Sequence, residues 1–391
     1  EQQSAGQHCH LQIGHLAYTD RLFTAVLLLW FGMAAAQESG TVMRFITYLV
    51  LSACLLCAAS VSAQQRDHFL PQPAVQKYVV ILAGAAIEER YKKQIESWAL
   101  RLHDVLTEDY RYEADQIVLL MDQADPADAR IYGSSRAENI RNALQGLKEV
   151  VNPGDQLFIF LLGHGTSDEE AAKFVIRGRD ITAWEVAAML ETFSEQDIVL
   201  VNAASASYPF CAFLSGAGRV IVSATRTAAE KYDTMFAEFF IAALADHTGD
   251  RDKNRRVSIW EAFRFASQKV ESWYADQNRI PTEHAVLDDN GDGIFSDDPG
   301  PFADDGMLAQ IAYLDLISGE FTGDENSTTA DSAIIRNLTA QMRELERSVF
   351  LLRSRKANLP VESYQKEMEV LLIDLARITR KLNNMTASAG D

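Results

Sequence analysis

The chain has 391 residues and a net charge of −19, with 55 acidic against 36 basic side chains. A chain of this length can bury a large core and hold two domains. The negative charge argues against nucleic acid and against an anionic membrane surface as partners. We therefore expect membrane contact only through an apolar segment near the N-terminus.

The first 63 residues differ in composition from the rest of the chain, because they contain two long apolar runs. The second run, 45–63, follows Met43 and Arg44 and ends in small residues. A charged start, an apolar centre and a small-residue cleavage site are typical of a secretory signal. We interpret residues 43–63 as a signal peptide and residues 1–42 as an upstream or non-native segment. The expected location is periplasmic or secreted, and the alternative is a membrane anchor formed by an uncleaved segment.

Cysteine usage agrees with an exported protein that has no disulfide framework. Three of the four cysteines precede the predicted cleavage site, and Cys211 is the one that follows it. A single cysteine cannot form an intramolecular disulfide. Together with the export signal, this composition indicates a bacterial envelope protein.

After the N-terminal region, short apolar runs alternate with segments of helical periodicity. The runs predict buried strands at 78–83, 116–121, 157–163, 198–201 and 219–224. The helical segments are 87–106, 135–151 and 182–193, and the last two begin with the capping-box pairs Ser135/Glu138 and Thr182/Glu185. Strands that alternate with helices predict an α/β domain over residues 77–318, with a parallel sheet covered by helices on both faces.

Two of the predicted strands end in residues that suit a functional site. His164 lies between Gly163 and Gly165 at the end of the third strand, and Ala204 and Ser205 follow the fourth. Open α/β sheets bind ligands at the C-terminal edge of their strands. A lone histidine is more often structural, but flanking glycines let the backbone approach a ligand closely.

This layout resembles the caspase-fold cysteine peptidases, and most closely the legumain-like family. In that family a His-Gly pair ends one strand, and a loop of the form Glu/Asp-Ala-Cys-x-Ser-Gly ends the next. A later strand leads to Ala-Thr, as it does here at 224–225. The resemblance covers roughly residues 78–245, and it implies a caspase-like fold. It assigns the proton-shuttling histidine to His164 and an oxyanion donor to the backbone of Gly165, and it aligns the nucleophilic cysteine with Ala204.

The alanine at this position leaves two functional hypotheses. A methyl group cannot attack a carbonyl, so the first hypothesis is an inactive peptidase homologue that binds or scaffolds a polypeptide. The second is an active hydrolase in which Ser205, or less favourably Cys211, works with His164. A nucleophilic serine needs a base that a third group orients, and the sequence does not reveal that group. Cys211 lies in an apolar helical segment, where a buried cysteine behaves as a small hydrophobic residue.

The segment 250–261 matches the ligand positions of an EF-hand calcium loop. Its oxygen-bearing side chains at positions 1, 3, 5, 9 and 12 are Asp250, Asp252, Asn254, Ser258 and Glu261. At position 7, Arg256 would contribute its backbone carbonyl. Arg255 stands where the loop normally has glycine. The alternative interpretation is a helix start, with Ser258 and Glu261 as its capping box.

A second acidic loop follows at residues 288–299. Asp288, Asn290 and Asp292 occupy positions 1, 3 and 5, but Pro299 replaces the bidentate glutamate at position 12. The alternative is a solvated turn, since Asn, Asp and Gly favour turns without any metal. Calcium is the only cofactor that the sequence suggests.

The C-terminal region is predicted to be helical. A polar linker over residues 319–331 leads to residues 332–385, where apolar side chains recur at spacings of three and four. The segment 358–360, which contains Pro360, interrupts this pattern. The spacing predicts an antiparallel helical hairpin with a coiled-coil-like seam. Two helices alone bury little surface, so we expect the hairpin to dock on the main domain or to associate with another copy.

Overall fold

The computed structural model describes residues 67–69, 75–168, 170–300, 303–316 and 330–388, all within one compact unit, Asp67–Asp391. The predicted signal peptide, the upstream segment and most of the predicted linker lie outside these ranges. No helix in the described part of the chain combines the length and the apolar character needed to cross a membrane.

The strands follow one another in two sheets. In chain order they are β1 Lys77–Ala83, β2 Ile117–Met121, β3 Gly133–Ser134, β4 Gln156–Leu162, β5 Gly165–Ser167, β6 Ala172–Phe174, β7 Ile181–Thr182, β8 Asp197–Asn202, β9 Arg219–Ser223 and β10 Val286–Asp288. The main sheet has the order β10-β9-β8-β4-β1-β2-β3, and β5-β6-β7 form a small antiparallel sheet. All pairings in the main sheet are parallel except that of β10 with β9. The predicted parallel sheet is therefore confirmed, with one antiparallel edge strand in addition.

Helices cover both faces of the main sheet. In chain order they are α1 Glu89–Glu108, α2 Ala137–Val150, α3 Ala183–Leu190, α4 Tyr208–Ala212, α5 Phe236–Leu244, α6 Ile259–Asp276, α7 Ala330–Ser354 and α8 Val361–Ser388. Alternate residues of β1 enter opposite layers: Val79 and Ile81 pack with α1, α5 and α6, whereas Val80 and Leu82 pack with α2, α3 and α4. Burial on both faces explains why the central strands are continuous apolar runs.

Two of the three predicted capping boxes form. The side chains of Thr182 and Ser258 cap α3 and α6, each with the glutamate three residues later. The box predicted at Ser135 was wrong, because α2 begins after Arg136 without a side-chain cap. The amide of Ser135 instead donates to the carbonyl of Met121 and extends the edge of the sheet. Its hydroxyl is buried and has no hydrogen-bond partner among the described residues.

The C-terminal hairpin is confirmed. Helices α7 and α8 pack antiparallel, since Leu338 and Met342 near the start of α7 contact Leu382 near the end of α8. The hairpin also docks on the α/β domain, where Glu346 of α7 accepts hydrogen bonds from Asn254 and Arg256.

Candidate functional site

The two strand ends singled out by the sequence lie side by side. Strands β4 and β8 are parallel neighbours, and Leu161 pairs with Asn202 in their register. The loops that follow therefore meet at the C-terminal edge of the sheet. A Cβ atom on Gly165 would collide with the carbonyl oxygen of Ser205 and lie 3.6 Å from Cβ of Ala204. Only glycine fits at 165, because the two loops pack backbone against backbone.

His164 leaves the end of β4 toward a partly open surface. Its side chain is about a quarter exposed, and Nδ1 lies 3.5 Å from Oδ1 of Asp233. The ring of Tyr91 packs edge-on against the imidazole at 5.3 Å between centroids. Burial lowers the pKa of His164 below its ordinary value of 6.5, while the carboxylates of Asp233 and Glu88 act in the opposite direction. A neutral imidazole near pH 7 has the protonation state that a general base needs.

Asp233 is the site residue that sequence reasoning missed. It lies in the loop after β9, whose C-terminal end is at the same edge of the sheet as that of β4. A hydrogen bond with Asp233 raises the pKa of the Tyr91 phenol, so this carboxylate contacts both aromatic rings of the site. The position of Asp233 after a parallel strand could have marked it as a site residue. Glu230 lies in the same loop, however, so the sequence did not distinguish the two carboxylates. In the structure, the carboxylate of Glu230 contacts Nδ1 of His284 and not His164.

Ala204 and Ser205 face the protein interior. Ala204 is fully buried, and its amide donates to Oδ1 of Asn202 at 3.1 Å. The hydroxyl of Ser205 lies 3.4 Å from both the amide nitrogen and the carbonyl oxygen of Gly165. Within the described ranges no hydrogen bond joins Ser205 to His164. The hydroxyl of this buried serine thus lies beside the backbone of Gly165, in contacts at the long end of the hydrogen-bond range.

Cys211 is buried against the C-terminal end of β9. It lies in α4 with no exposed surface, and its thiol donates to the carbonyl of Val222. Burial raises the pKa of this thiol to about 12. The thiolate is the nucleophilic form of cysteine, so at neutral pH this residue remains an unreactive thiol.

The amide of Gly165 is the oxyanion donor that the family resemblance predicts. The hydroxyl of Ser205 lies 3.4 Å from this amide nitrogen, which is a long contact. A contact of this length leaves most of the donor capacity of the amide for an incoming oxygen. The edge therefore combines an imidazole, a carboxylate that orients it and a backbone donor around a methyl group.

The first acidic loop gathers three carboxylates. Asp250, Asp252 and Glu261 each have an oxygen within 4.8 Å of the others. Arg255 adopts φ = 68°, the left-handed conformation that an EF-hand assigns to glycine at this position. Glu261 also accepts hydrogen bonds from the amides of Arg251 and Asp252 and caps α6 with Ser258. The carboxylates suit a hard cation, and the predicted capping box is present as well.

The remaining predicted ligands of this loop have other partners. Oδ1 of Asn254 accepts a hydrogen bond from the amide of Arg256. The guanidinium of Arg256 is buried, pairs bidentately with Asp315 and also donates to Glu346. The guanidinium of Arg256 is therefore held by Asp315 and Glu346 and not by the three carboxylates of the loop. This agrees with the prediction that Arg256 would contribute its backbone carbonyl to a cation.

The second acidic loop is a series of side-chain-capped turns. Asp288 is buried at the end of β10 and accepts hydrogen bonds from the amides of Gly291 and Gly293. Asn290 and Asp292 each accept a hydrogen bond from the amide two residues later. These hydrogen bonds are the ones expected of a turn that holds no metal, which was the alternative interpretation of this loop. The same side-chain oxygens remain candidate ligands for calcium.

Comparison with known proteins agrees with this geometry. Residues 92–188, about a quarter of the chain, match the family described as metacaspase, peptidase C14 domain. The matched segment runs from α1 to α3; it contains His164 and Gly165 and ends before Ala204. A search of curated proteins found no match.

A solved structure, that of protein GSU0716 from Geobacter sulfurreducens, aligns with 10% identity and a TM-score of 0.36. The alignment covers 55% of this chain and 92% of that one, and its similarity is too low to indicate a shared fold. The caspase-fold resemblance is confirmed, and the family that matches is the metacaspase one, whereas the sequence motifs pointed most closely to the legumain-like one. Residues 92–188 of the caspase-like α/β domain are thus similar to the metacaspase, peptidase C14 domain.

Proposed function

We propose that this chain is an exported peptidase homologue that binds polypeptide at the C-terminal edge of its sheet without cleaving it. The observation that carries the proposal is the buried methyl group of Ala204. It lies next to Gly165 and follows the strand beside that of His164, where the resembling peptidases have their nucleophilic cysteine. Loss of the nucleophile removes covalent catalysis but leaves the surrounding edge intact.

The surface around His164 supports a binding role. Ile87, four positions before Tyr91 and just ahead of α1, is 97% exposed, and Tyr232 is 63% exposed next to Asp233 in the sequence. Large apolar side chains that are exposed to solvent and cluster near a site are typical of a surface that binds a partner. An extended polypeptide that lies along this edge would cover both of them.

The runner-up function is an active hydrolase with Ser205 as nucleophile. In its favour, Asp233 supplies the orienting group that a serine mechanism requires. Against it, Ser205 is 3% exposed and its hydroxyl contacts the backbone of Gly165. A serine in this place would have to change its rotamer before His164 could take its proton, so the binding function is the better supported of the two.

The decisive experiment restores the thiol. The variant Ala204→Cys should cleave members of a peptide library that the unmodified chain binds but leaves intact. Adding His164→Ala to this variant should lower cleavage by roughly 10²–10⁴-fold, the usual contribution of a positioned acid–base group. Binding of a labelled peptide, measured by fluorescence anisotropy, should be similar for the unmodified chain and for the Ala204→Cys variant.

A matched control is Ala206→Cys, which adds a thiol to the same loop two residues further on. Ala206 has φ = 49° and its amide donates to the carbonyl of Glu230, so its side chain leaves the loop in a different direction. This variant should remain inactive. Turnover by the unmodified chain that disappears in Ser205→Ala would contradict the proposal and establish the serine hydrolase.

A further inference from the structure

The outer face of the C-terminal helix exposes apolar side chains that the monomer does not cover. In α8, Val361 is 70%, Val370 53%, Leu372 44% and Ile373 42% exposed. Another side of the helix supplies Leu375, Ile378 and Leu382 to the contact with α7. The helix therefore has two apolar sides, and α7 uses only one of them.

Three of these exposed side chains, those of Val361, Leu372 and Ile373, line an open groove, and Val370 is not among its lining residues. Its floor and walls include Val361, Met368, Leu372 and Ala376 of α8 together with Leu359, and Arg353 stands at its rim. Contiguous apolar surface of this kind is typical of an interaction site. A helix with its own apolar side is the occupant that such a groove accommodates.

The charges of α8 are divided between its two halves. Residues 361–374 contain four acidic side chains and one basic side chain, whereas residues 375–388 contain three basic side chains and no acidic one. Asp374 and Arg377 pair with each other at the middle of the helix. Apart from this pair, the N-terminal half of the 28-residue helix has a net negative charge and its C-terminal half has a net positive charge.

We infer that two copies of this chain associate through α8, packed antiparallel about a two-fold axis. In this arrangement the acidic half of each helix lies against the basic half of the other. The two helix dipoles are also antiparallel, which is the favourable orientation. An axis at the level of Leu371 brings Glu362 opposite Arg380, each nine positions from the centre. Met368 and Leu372 of both copies then lie within the interface. A parallel pair would instead bring like charges together.

The chemistry of the helix thus specifies a second copy as the partner. A two-fold interface must be self-complementary, and a helix with opposite net charges in its halves fulfils that requirement only when it meets itself antiparallel. This inference is independent of the proposed binding function at the sheet edge, since the residues that carry it lie in a separate element.

The test is the oligomeric state of the full chain, measured by analytical ultracentrifugation over a range of concentrations. The unmodified chain should be a dimer, and Met368→Asp with Leu372→Asp should make it a monomer of unchanged helicity. Glu362→Lys alone and Arg380→Glu alone should each raise the dimer dissociation constant roughly tenfold, because each places like charges opposite one another twice per dimer.

The double exchange Glu362→Lys with Arg380→Glu should restore the dissociation constant of the unmodified chain. The matched control is Arg141→Glu, the same charge change at an exposed position of α2, which should leave the dimer unchanged. A monomeric unmodified chain, a dimer that survives the aspartate substitutions, or a double exchange that fails to restore association would each overturn the inference.

Discussion

The family resemblance aligns Ala204 with the nucleophilic cysteine of a peptidase, from which it differs by the absence of the sulfur atom. Gly165 still allows the two loops to touch, and its amide still faces the gap between them. His164 still has a carboxylate at its Nδ1 atom. At the scale of single residues, we therefore expect residue 204 to determine whether a bound peptide is cleaved, and its neighbours to determine the shape of the site.

The protonation of His164 provides a test of this arrangement. Burial lowers its pKa, and Asp233 counteracts part of that effect because a nearby negative charge favours the imidazolium. Asp233→Asn should therefore lower the pKa of His164 further, so that the ring stays neutral to a lower pH. Titration of the histidine ring protons by NMR between about pH 4 and 8 measures the change.

The control for this titration is Asp128→Asn, whose carboxylate pairs with Arg130 at a separate place on the surface. It should leave the pKa of His164 where it is. A pKa that rises or stays constant in Asp233→Asn would show that the carboxylate does not act on the imidazole.

At the scale of elements, the loop between α5 and α6 combines two roles in one segment. Glu261 caps the helix, and its carboxylate also closes the loop that holds Asp250 and Asp252. Three carboxylates at this separation repel one another, and a bound cation would remove that repulsion. We therefore expect calcium, when it binds, to stabilise the fold and not to switch it.

Thermal unfolding checks this expectation. A ligand at a hundred times its dissociation constant stabilises the native state by about 2.7 kcal/mol, so the Tm should rise in millimolar calcium relative to chelator. Asp250→Ala should abolish the rise, because it removes a ligand and leaves the capping box of α6 in place. Asp288→Ala tests the second loop separately. Equal Tm values in calcium and in chelator would contradict calcium binding and would indicate that both loops are turns capped by their own side chains.

At the scale of the whole molecule, a buried charge network joins the sheet, the acidic loop and the hairpin. Arg256 pairs with Asp315 and Glu346 and lies 3.5 Å over the ring of Tyr313. Burial acts to raise the pKa of Asp315, but Arg256 and Lys77 outweigh it and hold that pKa at about 2. Burial also lowers the pKa of Lys77 to about 7.

Loss of the central cation should destabilise the entire molecule. Arg256→Met leaves two buried carboxylates without their main partner, and breaking a buried pair in this way costs about 3–5 kcal/mol. Chemical denaturation should show this decrease in the free energy of unfolding. Arg377→Met, which breaks an exposed pair with Asp374, is the matched control and should change the free energy by less than about 1 kcal/mol. Similar values for the two variants would contradict a structural role for the network.

The sequence by itself determined the elements of this protein and their order. Strands buried on both faces must be apolar throughout, and a helix that packs on one side must repeat its apolar residues every three or four positions. These local requirements predicted the sheet, its covering helices and the hairpin. They also predicted that His164 lies at the C-terminal edge, because chain direction fixes where a parallel strand ends.

Only the tertiary structure decided which side chains meet. Ser205 and Gly165 are 40 positions apart, and Arg256 and Glu346 are 90 apart, so no local pattern records either contact. The same holds for Asp233 beside His164 and for the antiparallel strand β10, which is too short to stand out as an apolar run. Such contacts follow from the packing of whole elements, which depends on the combined shape of many side chains.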